Sequence, residues 1–378
     1  MTGDLSIIAL TAFGLERVIK HELLGLGFEP TIAEPGRVRF SAPPAAIPTV
    51  NIWLRSASRV LVELDAFPCR EFDALYDGVR ALPWRDLLPA RAGVGVQVSL
   101  TRSTINSPRN AQSMVKRAVV DAVVGRGAAM DESGPPCTVS VAIRGDEASV
   151  CLDTSGAGLH QRGYRPRSGP GQLKETLAAG IIQLTRWTPD RPLIDPFCGQ
   201  GTLVIEAALL AAGLPPGVNR GFAGEALPWI DRHAWHHARQ QAEQTEPVPI
   251  PAQVLGRDID DRAIGEARRA AERAGVRGLV GFRRGDYLDT PVPAERGWIV
   301  TNPPYGLRVL DHDDAAEVHS QLPILMDRLP QWSHGVLTAF PRFESLIKRT
   351  ATKRRKLYNG SIECGLYFFH PVKAAAAD

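Results

Sequence analysis

Apolar positions recur along this chain with two different periods, and the way they are combined changes near the middle. At the start, LSIIAL (5–10) is an apolar run of strand length, and GLERVIKHELLGLG (14–27) sets Leu15, Val18, Ile19, Leu23 and Leu26 at helical spacing. Gly27 suits the C-cap of that helix. GRVRF (36–40) predicts a strand and SAPPAAIP (41–48) a Pro/Ala-rich linker. VNIWLRSASRVLVELDAF (50–67) reads as a helix passing into a strand, and FDALYDGVRALPW (72–84) as a short helix. GVGVQVSLTRSTI (93–105) alternates with period two, whereas SPRNAQSMVKRAVVDAVV (107–124) is a helix opened by Ser107-Pro108. TVSVAIRG (138–145) and EASVCLDTS (147–155) are strands. Short mixed elements of this kind predict small α+β units over residues 1–160, a ferredoxin-like piece followed by a second compact domain.

The second half alternates strand and helix. QLKETLAAGIIQLTRW (172–187) is a helix, PLID (192–195) a buried strand and TLVIEAALLAAG (202–213) a helix again. QVLGRDID, LVGFRRGD, GWIVTN, HGVLTAF and CGLYFFH supply later strands, with helices between several of them. Such alternation predicts a parallel, doubly wound sheet.

Composition narrows the class without naming it. The chain has 378 residues, too many for one small core, with 44% hydrophobic and 22% charged residues, the balance of a globular protein. A net charge of +3 permits a nucleic-acid partner without requiring one. Cys69, Cys137, Cys151, Cys198 and Cys364 form no C-x-x-C pair, which argues against a zinc ribbon and a disulfide scaffold. No segment has the length of a membrane span or the pattern of a signal peptide, so a cytoplasmic protein with reduced thiols and no membrane partner is expected. His233 and His237 stand four apart, but no third ligand has helpful spacing and no metal is expected.

Chemistry concentrates at the predicted strand ends. Asp195 and a Gly-x-Gly turn, Gly199 to Gly201, close the first strand of the sheet, where open α/β sheets bind ligands. The dinucleotide fingerprint would need a third glycine, and Thr202 and Glu206 follow instead. Asp258 closes the next strand, where a carboxylate can hold two ribose hydroxyls. Asp286 closes the third, where it can accept from an adenine amino group. The fourth ends in Asn302-Pro303-Pro304-Tyr305. Two prolines cannot donate to a ladder, so the strand stops there.

Together these strand ends resemble the class I S-adenosylmethionine-dependent methyltransferases, and the Asn-Pro-Pro-Tyr loop resembles those that methylate amino nitrogen. The resemblance implies a Rossmann-like domain with a mostly parallel seven-stranded sheet. It implies S-adenosylmethionine held by Asp195, Pro196, Phe197, Gly199, Gly201 and Thr202, with Asp258, Asp286, Tyr287 and Asn302. Asn302, Pro303, Pro304 and Tyr305 would be catalytic: the Asn302 side-chain oxygen and the Pro303 carbonyl accept the two N–H groups, and Tyr305 stacks on the base.

Over almost the whole chain the sequence resembles the THUMP-containing 23S rRNA guanine-N2 methyltransferases. TAFGLERVIKHEL, INSPRNAQSMVKRAVV, LDTSGAGLHQRGYR, DPFCGQGTLVIEAAL and KLYNGSIECGLYFF carry it, with LPPGVNRGFAGEALPW favouring this group over the transfer-RNA enzymes. The implied domains are ferredoxin-like (1–60), THUMP (61–165) and catalytic (166–378). RNA is the implied partner, gripped by Arg102, Arg109, Lys116, Arg117, Arg162, Arg165 and Arg167. KRTATKRRK (348–356) reads equally as a phosphate contact or a solvated helix face. An adenine-N6 DNA methyltransferase and a non-enzymatic RNA-binding factor remain the rivals. The first lacks a place for a THUMP region, and the intact loop and acids speak against the second.

Overall fold

A computed structural model describes residues 3–165, 172–304 and 312–371. The chain forms two compact units, one from residues 1–11, 19–159 and 220–244, the other from residues 12–18, 160–219 and 245–378. Among the described residues no helix is long and apolar enough to cross a membrane.

In chain order the first 153 residues give β1 (Leu5–Thr11), α1 (Glu16–Gly25), β2 (Thr31–Glu34), β3 (Arg37–Ala42), α2 (Ile47–Trp53) and β4 (Ala57–Pro68). Then come α3 (Phe72–Arg80), α4 (Trp84–Leu87), β5 (Gly93–Thr101), α5 (Pro108–Val124), β6 (Pro136–Arg144) and β7 (Glu147–Asp153). Their strands make one seven-stranded sheet in the order β2-β3-β1-β4-β7-β6-β5. β4 pairs with β1 through Ala57–Val62 and with β7 through Leu61–Pro68, so the expected domain boundary at residue 60 falls inside a strand shared by both halves of the sheet. The segment expected as a linker runs directly into α2. Pro48 occupies the first turn of that helix, where its missing N–H costs no hydrogen bond, and Ile47, Val50 and Ile52 are fully buried. Ser107 caps α5 as expected, its hydroxyl accepting from the Asn110 N–H.

The remaining elements are α6 (Glu175–Thr185), β8 (Leu193–Asp195), α7 (Thr202–Ala211), α8 (Arg232–Glu243), β9 (Val254–Asp258), α9 (Asp261–Arg273) and β10 (Gly281–Arg284). After them come β11 (Trp298–Thr301), α10 (His312–Arg328), β12 (Ser333–Thr338), α11 (Phe343–Ile347), β13 (Lys353–Asn359) and β14 (Ile362–Phe369). The second sheet has the order β10-β9-β8-β11-β12-β14-β13, with parallel pairing from β10 to β12 and antiparallel pairing beyond. This is the mostly parallel, doubly wound sheet that the alternation predicts. Period-two alternation divides its core. Leu193, Val254, Trp298 and Val300 pack on one face, and Ile194, Leu255 and Ile299 meet Leu325, Leu329 and Trp332 on the other.

Leu15, Val18 and Tyr164 belong to the first of these cores, although they precede residue 166. Conversely, Arg220–Gln244 lies in the first unit, where α8 packs on α2 and Trp235 stacks on Phe222 at 5.4 Å. The second half of the basic run, from Lys353, is a strand: β13 ends the sheet, and Arg354 and Lys356 pair with Glu344 and Glu363 at 3.0 and 2.6 Å. Charged side chains on a terminal strand discourage pairing with another chain.

Candidate active site

Strand order reverses between β8 and β11, so their carboxyl ends flank the point at which doubly wound sheets open a crevice. The two ends are tied together. Thr301, the last residue of β11, donates its hydroxyl to Asp195 Oδ1 at 2.7 Å, and the Phe197 N–H donates to the same oxygen at 3.1 Å. Burial pushes the Asp195 carboxyl up to about 7, against the pull of these two donors, and the nearby Asp258 charge adds to the rise. Asp195 is 2% exposed, so this acid braces the crevice from below.

The turn after Asp195 is shaped by glycine. Gly199 and Gly201 have φ of +50° and +81°, a region open to few other residues. A Cβ on Gly201 would stand 2.8 Å from the Phe282 ring, whereas one on Gly199 would meet nothing within 4 Å. The turn is therefore packed from one side and open on the other. Asp258 fastens it: its Oδ2 accepts from the Gly199 N–H at 2.9 Å and its Oδ1 from the Asp260 N–H at 2.9 Å. Asp258 stays half-buried, with acceptor capacity left for a ligand. Asp286 Oδ1 accepts from the Leu288 N–H at 2.8 Å, and the Tyr287 ring packs against that of Phe197 at a tilt of 33°, with centroids 4.6 Å apart. Burial first, then Asp286 and Glu317, pushes the Tyr287 phenol up to about 12, so it serves as a donor, here to Gln321 at 2.8 Å.

Beyond Thr301 lies the loop. Pro303 is buried and Pro304 half-buried. Asn302 is half-buried, yet its Oδ1 is fully screened from solvent and has no hydrogen-bond partner among the described residues. A buried, unpaired acceptor costs about 1–3 kcal/mol, and an amide held so is ready for a donor that arrives with substrate. Tyr305 lies outside the described residues, as does Arg167.

The remaining expected residues are dispersed. Arg102 and Arg109 are exposed, Lys116 pairs with Glu132 at 2.9 Å, and Arg117 lies 3.6 Å from Asp121. Arg162 and Arg165 correct the expectation that both grip phosphate. The Arg162 side chain is 2% exposed and 3.5 Å from Glu206, and that of Arg165 is 3% exposed and 2.7 Å from Glu175. A guanidinium enclosed with a carboxylate has no face for a phosphate. Their sequence setting, an Arg- and Gly-rich connection, looked like a basic surface because the partner acids lie 10 and 44 positions further along. Thr301 was not singled out by pattern, although it directly precedes the loop. Among the described residues no group of three His, Cys, Asp or Glu could hold a metal.

The RMKL-like methyltransferase domain model matches residues 162–367, more than half of the chain. The chain belongs to this methyltransferase family. Ahead of the methyltransferase domain, the RlmL ferredoxin-like domain model matches residues 6–61 and the THUMP domain model residues 69–153. Among relatives of this methyltransferase, YpsC of Bacillus subtilis (strain 168), provisionally named an RNA methyltransferase, is 38% identical over 366 residues, 96% of this chain and 95% of that protein. The crystal structure of SMU.472, a methyltransferase by provisional name, complexed with S-adenosylhomocysteine, is 34% identical with TM-score 0.88, covering 99% of this chain and 100% of that one. A structure from Listeria monocytogenes, bearing the name of a predicted N6-adenine-specific DNA methylase, is 38% identical with TM-score 0.88, covering 98% and 97%.

Proposed function

We propose that this protein transfers a methyl group to the exocyclic N2 amino group of a guanosine in RNA, with 23S ribosomal RNA as the substrate. The observation that carries the reading is the buried Oδ1 of Asn302 at the end of β11, which has no hydrogen-bond partner among the described residues. The cofactor is S-adenosylmethionine, whose sulfonium-bound methyl is electrophilic towards a nitrogen lone pair. The residues fit it. Asp258 has acceptors for ribose hydroxyls, Asp286 an acceptor for an adenine amino group, and the open side of Gly199 lets backbone come close.

An aromatic amino group is a poor nucleophile because its lone pair is delocalised into the ring. Asn302 Oδ1 and the Pro303 carbonyl each accept one N–H, which moves the nitrogen towards tetrahedral geometry and frees the lone pair. The loop is restrained before substrate arrives, since the Thr301–Asp195 bond anchors the residue ahead of Asn302 and Pro304 restricts the residue before it, Pro303, so little backbone reorganisation is needed in the transition state. Tyr305 supplies a stacking face for a base turned out of its helix.

RNA as the substrate rests on the THUMP match and on the name given to YpsC. The name of the Listeria protein favours a second reading, adenine N6 in DNA, which the same loop could serve. Mass mapping of modified nucleosides in ribosomal RNA, transfer RNA and DNA from cells with and without this chain separates the two. Loss of one N2-methylguanosine from 23S RNA is expected. A lost site in transfer RNA corrects the substrate, and one in DNA overturns the reading.

A further inference from the structure

Apart from the strand-end acids, Arg162, Arg165, Glu175 and Glu206 bury their charges together, two cations against two anions, none more than 3% exposed. Buried ion pairs often add little net stability, because desolvation offsets attraction, so their presence invites a further account. Arg165 offers one. Its Nε donates to Glu175 Oε1 at 2.8 Å, its Nη2 to the Leu173 carbonyl at 3.1 Å and its Nη1 to Thr202 Oγ1 at 2.7 Å. Glu175 is the first residue of α6 and Thr202 the first residue of α7. Thr202 follows Gly201 directly, and α7 has no side-chain cap to fix its first turn.

We propose that Arg165 is a positioning residue for the cofactor turn, holding Thr202 so that Gly199–Gly201 keeps its ligand-ready shape before binding. This rests on the reading that S-adenosylmethionine sits at that turn. A planar guanidinium presents donors in a fixed fork and can reach an acid and a hydroxyl at once, whereas an ammonium reaches one well. Holding a loop in its bound shape raises affinity by removing the cost of ordering it.

The test is calorimetric titration of the full chain with S-adenosylhomocysteine for wild type, Arg165→Lys, Thr202→Val, the double variant and Asp258→Ala. Arg165→Lys and Thr202→Val should each weaken binding about tenfold, and the double variant no more than either alone. Amide hydrogen exchange at residues 198–205 should quicken in both single variants without ligand. Additive losses would mean that Thr202 meets the ligand independently, which overturns the clamp. Wild-type affinity in Arg165→Lys, with affinity lost in Asp258→Ala, would overturn the clamp and leave the cofactor site standing. Unchanged affinity in Asp258→Ala would instead remove the cofactor site. Should Arg165→Lys fail to fold, Thr202→Val decides, since it keeps the Arg165–Glu175 pair.

Discussion

Asn302 is set apart from its neighbours by an unmet hydrogen bond. Thr301, Asp195, Asp258 and Asp286 all have partners, while Asn302 Oδ1 is buried without one among the described residues. Asn302→Ala should therefore break no hydrogen bond at Oδ1 among the described residues and leave thermal stability near wild type, while removing an acceptor needed in the transition state. Equal melting temperatures with a collapse in kcat support this. A variant that is both unstable and slow would point to a structural amide. Asp258 carries a double duty, fastening the turn and facing the ligand. Asp258→Ala should weaken S-adenosylhomocysteine binding by about 1.5–3 kcal/mol, the range for hydrogen bonds to a charged group. Calorimetry giving the wild-type Kd would take Asp258 out of the site.

Elements explain why some of this was legible in the sequence and some was not. The apolar run Trp298-Ile299-Val300 and the halt at Pro303-Pro304 announce β11 and its end, because a buried run and proline act locally. Asp195, Asp258 and Asp286 could be ordered along successive strands for the same reason. What sequence could not give is which way a side chain turns. Arg165 lies in a stretch that reads as basic surface, and the fold buries it against Glu175 and Thr202. Only the first turn of α2 hid inside the Pro/Ala-rich segment, because proline in a first turn resembles proline in a linker.

Asp195, at the end of β8, allows a pH prediction. Its carboxyl titrates near 7 when folded, against about 3.9 for an exposed aspartate. The native state thus holds an extra proton between about pH 4 and about pH 7, and stability falls as pH rises through that window, then levels. Asp195→Asn should remove this slope, worth up to a few kcal/mol at about 1.4 kcal/mol per pH unit. Urea midpoints at about pH 5 and about pH 8 check it. An equal fall in both proteins contradicts it.

At the scale of the molecule, sequence order and compact units disagree. A fragment starting at residue 170 would lack Leu15, Val18 and Tyr164 from its main core, and would leave Glu175 and Glu206 buried without Arg165 and Arg162. It should expose its core and lose its cooperative melting transition. A sharp thermal transition in the isolated fragment would show that those contacts are dispensable. RNA affinity should instead be probed in the intact chain. Charge reversal at the exposed Arg102 and Arg109 should weaken RNA binding and reduce the log–log salt slope by about one per lost phosphate contact, while the same change at buried Arg162 should unfold the protein. Filter binding at several salt concentrations reads the first, and circular dichroism the second.

The central claim is amino-group methylation of RNA guanine through Asn302. It is tested most directly by single-turnover transfer from methyl-labelled S-adenosylmethionine to 23S ribosomal RNA, followed by digestion to nucleosides. The account predicts label in N2-methylguanosine and a rate about 10²–10³ lower for Asn302→Ala, with S-adenosylhomocysteine affinity unchanged. Label in N6-methyladenosine, no label with the wild-type protein, or a wild-type rate for Asn302→Ala would contradict it.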